Sequence, residues 1–92
     1  MSGYGDAMGG IVRAEKAAAR RHRAARRLLN ECIIAGLPAP HVPAGDVIRF
    51  LWDGYSVAVK GHGLFDLGDR HGFAARGVGL DEAMAWLKER LA

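Results

Sequence analysis

The apolar positions fall into three successive rhythms along the chain. Residues 11–35 are rich in Ala, Arg, Leu and Glu and contain no glycine or proline, which predicts a helix. About 25 residues at 1.5 Å each make an element roughly 37 Å long. Gly36 and Pro38 supply its stop. Residues 46–52 (DVIRFLW) and 55–60 (YSVAVK) are β-branched and aromatic runs around Asp53 and Gly54. That dipeptide predicts a β-hairpin closed by a type I′ turn. Ile48, Phe50 and Trp52 share one face of its first strand, and Tyr55, Val57 and Val59 one face of its second. In residues 80–91 the helical period returns, with Leu80, Ala83, Met84, Leu87 and Leu91 on one stripe. Asp81 and Glu82 in its first turn and Lys88 and Arg90 in its last match the helix dipole.

The intervening segments read differently. Residues 1–10 (MSGYGDAMGG) carry four glycines and no periodicity, so a flexible tail is expected. Pro38, Pro40 and Pro43 stiffen an extended connector over residues 36–45. Between residues 61 and 79, six glycines leave two short strand candidates, 64–67 and 72–76. One of them extends the hairpin to a third strand, with 64–67 favoured, and both can pair around a turn at 69–72. The predicted fold class is α+β: a long helix, about three antiparallel strands within residues 46–76, and a C-terminal helix, forming one domain over residues 11–92.

Ninety-two residues suit one domain, and half of them are apolar and a quarter charged, as in ordinary soluble proteins. No apolar run reaches the roughly 18–20 residues that span a bilayer, so no membrane partner is expected. The first ten residues lack the basic-then-apolar layout of a secretory signal. A lone cysteine, Cys32, makes neither an internal disulfide nor a zinc framework, and a cytoplasmic location is expected.

Charge sharpens this picture. The net charge of +3 is the sum of two unlike parts. Residues 11–30 hold Arg13, Lys16, Arg20, Arg21, Arg23, Arg26 and Arg27 against Glu15 alone, seven cations to one carboxylate, or +6. The remaining residues hold six cations and nine carboxylates, or −3. At about 100° per residue, Arg13, Lys16, Arg20, Arg23 and Arg27 fall within an arc of roughly 80°. Ala14, Ala18, Ala25, Leu28, Leu29 and Cys32 line the far side, interrupted by Arg21. The half from Leu28 to Ile34 is apolar enough to bury, whereas alanine contributes little transfer energy to the first half. A helix face made only for solvent normally intersperses both signs, because like charges three and four residues apart cost a few tenths of a kcal/mol each. This face does not, so it reads as a contact surface for phosphates or an acidic protein patch. Arginine's planar fork suits either.

Candidate chemistry is sparse. His62, Asp66, Asp69 and His71 lie within ten residues but match no standard ligand spacing, and their types are ordinary in turns. Neither a metal nor a cofactor is expected. Cys32 on an apolar stripe reads as a small hydrophobe rather than a nucleophile. The glycines form neither G-x-G-x-x-G nor a P-loop. Phe50, Trp52 and Tyr55 near the hairpin tip suit base stacking or core packing alike, and Trp86 suits partial burial.

The order helix–strand–strand–strand–helix resembles the double-stranded RNA-binding domain over residues 13–91. That family's RNA contacts come largely from a basic cluster opening its last helix. Here residues 80–85 read LDEAMA, which is acidic, so no RNA-binding residue is carried over. In size and plainness the chain resembles small phage-type inhibitors or adaptors that act on nucleic-acid machinery, anti-CRISPR proteins among them. The expected function is therefore a non-enzymatic interaction protein that binds an acidic partner through its Arg-rich helix. The alternative is direct binding of DNA or RNA phosphates by the same helix. Self-association through the alanine stripe from Ala14 to Ala25 is a third expectation.

Overall fold

The computed structural model describes the backbone from residue 2 to residue 92 and the side chains from residue 16 onward. Its elements are α1 (Ser2–Ile34), β1 (Arg49–Trp52), β2 (Tyr55–Val59), β3 (Phe65–Asp69), β4 (Gly72–Val78) and α2 (Leu80–Leu91). The α+β class and the order of elements agree with the sequence reading. Both glycine-flanked candidates are strands, so the antiparallel sheet has four, in the order β1-β2-β3-β4. The fourth strand departs from the three-stranded order of the RNA-binding domain. It forms because Arg70 and His71 suffice to reverse the chain. Asp69 pairs with Gly72, and the Asp69 carboxylate accepts the His71 N–H at 2.8 Å.

Helical backbone begins at Ser2 rather than Ile11, so it includes residues 2–10, expected as a flexible tail. A nucleated helix propagates one residue at a time, and glycine weakens it by about 1 kcal/mol without forbidding it. At the other end, Gly36 takes a φ of +73°, its N–H bonds to the Ile33 carbonyl, and the Leu37 N–H reaches the Cys32 carbonyl. These are the two bonds of a Schellman cap, and Leu37 packs back on the core as that cap requires. The proline connector then runs beside β1. His41 and Leu51 exchange backbone hydrogen bonds at 2.8 Å each, and Trp52 Nε1 donates to the Pro38 carbonyl at 2.8 Å.

The expected hairpin is present, with Trp52 opposite Tyr55. Its turn differs from the expected type. Among the described residues only glycines have positive φ, so Asp53 does not, while Gly54 stands at +83°. Positive φ at the second centre alone is the type II pattern, and glycine there satisfies it.

The core lies on one side of the sheet. Phe50, Val57, Val59, Phe65, Leu67 and Val78 are buried, and the pairings Phe50–Val57–Leu67 and Val59–Phe65–Val78 align them across the strands. The helices cover that side with Ala25, Leu28 and Cys32 from α1 and Ala83, Met84 and Leu87 from α2. The Cys32 and Met84 sulfurs meet at 3.8 Å. Trp52 and Tyr55 are tied into the same assembly. Tyr55 meets Trp86 edge-on at 5.6 Å, and Trp52 lies 6.4 Å from Phe50. The aromatic residues near the hairpin tip therefore serve packing.

One carboxylate is buried on the opposite side of the sheet. Asp66 accepts the Gly77 N–H at 2.9 Å and pairs with Lys60 at 3.3 Å. Gly77, with φ +64°, belongs to a bulge where β4 places an extra residue against β3. Burial alone raises the Asp66 carboxyl. The Gly77 N–H, Lys60 and Arg76 outweigh it and hold the group below the usual carboxylate range.

Two stability measurements check this packing. Leu28 is fully buried, so Leu28→Ala should lower the unfolding free energy by about 2–5 kcal/mol in urea denaturation. A cost below about 1 kcal/mol would contradict α1 as a core element. Asp66→Asn should cost about 1–2 kcal/mol at pH 7. Because the folded-state pKa is depressed, this contribution is complete above the unfolded value of about 3.9 and lost as pH falls through the folded value. The gap between wild type and variant should therefore close in acid, and a pH-independent gap would refute the ionised contact.

Candidate functional site

The anchoring of α1 decides where its charges point. Ala25, Leu28 and Cys32 mark its buried stripe. At about 100° per residue, Lys16, Arg20, Arg23 and Arg27 lie more than about 110° around the axis from that stripe, and all four are exposed. The outward line continues through Arg27 to Ile34, 78% exposed. Arg26 is also exposed, on the flank nearer the proline connector. Arg21 stands apart from the others, half-buried and in line with Ala25 and Leu28 on the inward side. The Arg13 side chain lies outside the described residues. Of the alanine stripe, Ala25 is buried and Ala24 packs against the core, while Ala17 and Ala18 are half-buried.

No ion pair joins these cations to a carboxylate among the described residues; the pairs found are Lys60–Asp66, Arg70–Asp53 and Arg90–Glu89. Arg20, Arg23 and Arg27 therefore repel one another at spacings of three and four residues, and the nearest carboxylates, Glu31 and Asp81 beside Arg27, form no ion pair with them.

The flank of α1 is apolar. Ala25 and Leu29 form an open groove with Val42, Pro43, Val47 and Ile48 of the connector and the approach to β1, and His22 and Arg26 stand at its rim. A second groove continues past Leu29 and Val42 to Ile33 and Leu37. Ile33, Val42 and Val47 are 67%, 51% and 48% exposed, so large aliphatic side chains stand in solvent on the flank of α1 that carries Arg26. Sequence reasoning missed this patch. The connector's prolines signalled an extended path, but nothing in the pattern showed that Val42 and Val47 would line up beside Leu29.

The other candidate chemistry is dispersed. Cys32 is buried, and burial first, then the Glu31 carboxylate, pushes its thiol up. Asp66 is engaged by Lys60 and Gly77, and Asp69 by the His71 backbone. Among the described residues no three His, Cys, Asp or Glu side chains gather as a metal site would require. No described helix is long and apolar enough to cross a membrane. No protein family, curated protein or solved structure matches the chain.

A face kept cationic at a cost to the helix makes its own prediction. Arg23→Glu places a carboxylate four residues before Arg27 and three after Arg20. Thermal or urea denaturation should show stability unchanged or raised by a few tenths of a kcal/mol. A loss above about 1 kcal/mol would mean that Arg23 supports the fold rather than a contact.

Proposed function

We propose that this chain is a non-enzymatic interaction protein that holds an acidic protein partner against the outward face of α1. Lys16, Arg20, Arg23 and Arg27 supply the charge, with Arg26 at the border of the apolar groove. Arg13 extends the same line in sequence. Support comes from one juxtaposition: Arg26, at the edge of a face of cations without ion pairs among the described residues, stands at the rim of a groove where Val42 and Val47 are exposed. Phosphates engage cations and have no use for an aliphatic patch, whereas a protein surface carrying carboxylates beside apolar side chains fits both. An adaptor or inhibitor of the small phage type is the kind of role such a surface serves. The non-enzymatic reading is supported by Cys32, whose thiol is packed against Met84, and by Asp66, whose carboxylate is engaged within the fold.

The test compares wild-type protein with the triple variant Arg20→Glu, Arg23→Glu, Arg27→Glu as bait in nuclease-treated host extract. Circular dichroism establishes that both are folded. The wild type should retain a defined partner that the variant loses, and Val47→Glu should weaken the same capture. Recovery of the same proteins by the triple variant would make the cationic face a merely solvated one. Loss of all wild-type capture after nuclease treatment would transfer the face to nucleic acid.

A further inference from the structure

The side of the sheet away from the helices has a composition of its own. The pairings Leu51–Ser56–Gly68–Phe73 and Arg49–Ala58–Asp66 set its rows. In β4, Ala75 pairs with Leu67 but Phe73 with Gly68, an irregularity that moves Phe73 out of the core face and into the row of Ser56 and Gly68. Phe73 is 62% exposed there, and the Arg76 guanidinium lies 3.9 Å from its ring centroid. Small residues keep the centre low. Gly68 keeps its own position flat, since a Cβ there would meet Ser56 Oγ at 2.7 Å and push it aside. Beside the ring this leaves a shallow hollow lined by Ser56, Gly68, Asp69 and Gly72.

Cations outnumber carboxylates on this side. Arg49, Lys60 and Arg76 are exposed; of the carboxylates, Asp66 is buried and occupied by Lys60 and the Gly77 N–H, and Asp69 at the edge of the hollow accepts the His71 N–H. Among the described residues neither Arg49 nor Arg76 forms an ion pair. Exposed aromatic ring, stacked guanidinium, flat small-residue floor and surrounding cations form the combination that unpaired nucleobases and their phosphates recognise. A protein partner would need an apolar patch in the middle, where Ser56, Ala58 and Gly68 stand instead.

We propose that the open sheet face binds single-stranded nucleic acid, with a base stacked at Phe73 over the Gly68 hollow and phosphates along Arg49, Lys60 and Arg76. Asp69 offers an acceptor to a base amino group at the tip of the hollow. This surface lies across the sheet from the helices, so it stands independently of the role proposed for α1.

Fluorescence anisotropy with labelled oligo(dT) and oligo(rU) of about 15 nucleotides tests it at low salt. Phe73→Ala changes no charge and removes an exposed side chain, so it should leave the fold intact while weakening binding at least about fivefold. Arg76→Ala should lower the slope of log affinity against log salt by about one. Ultraviolet cross-linking of the same strands, located by mass spectrometry, should mark the β4 peptide containing Phe73. Three results would overturn the proposal: no binding at low salt, unchanged affinity in Phe73→Ala, or cross-links confined to α1.

Discussion

The contact between the C-terminal half of α1 and the centre of the sheet governs everything else in the molecule. Cys32 meets Met84 of α2, Leu28 shares one core cluster with the β2–β3 side chains, and among the described residues Ala25 is the last buried one toward the N-terminus. With both helices on one side, that side takes most of the large aliphatic and aromatic residues, and the other carries small and charged ones with Leu51 and Phe73. The same contact fixes the rotation of α1, because a helix anchored at residues 25, 28 and 32 must turn residues 16, 20, 23 and 27 away from the core. Charge placement on the helix therefore follows from the packing of the sheet.

Two cationic surfaces result, and their neighbours distinguish them. On α1 the cationic face meets, at Arg26, aliphatic side chains held in solvent by the connector. On the open sheet face one guanidinium stacks on an aromatic ring beside glycine and serine, with further cations along the neighbouring row. The hydrogen bonds at His41 and Trp52 hold the connector beside β1, which brings Val42 and Val47 toward α1. The Asp66–Gly77 contact steadies the bulge in the strand that carries Phe73 and Arg76. Each surface depends on a feature that adds little to the core but much to the placement of side chains.

The elements were legible where chemistry is local. Gly36 announced the cap of α1, Asp53 and Gly54 announced the hairpin, and the stripe from Leu80 to Leu91 announced α2. The hairpin's turn type was not legible, because glycine at its second centre serves type I′ and type II equally. The separation of β3 from β4 was half-visible, since the turn residues were apparent but the glycines lowered strand propensity throughout. The direction of Phe73 was hidden, because an irregular register reverses the alternation on which face assignment depends. Suspicion of an exposed aromatic fell instead on Phe50, Trp52 and Tyr55, whose sequence setting is equally aromatic and which the fold packs away. The outward line from Lys16 to Arg27 was readable from helical period alone, and so was the place of Arg21 on the inward stripe.

Arginine-selective labelling inside cells distinguishes a contact surface on the outward face of α1 from a solvated one. Labelling by a phenylglyoxal reagent in host cells is compared, residue by residue, with the purified protein, taking exposed Arg70 at the β3–β4 turn as reference. The account predicts that Arg20, Arg23 and Arg27 are modified more slowly in cells than in isolation, relative to Arg70. Equal relative rates in the two settings would contradict it.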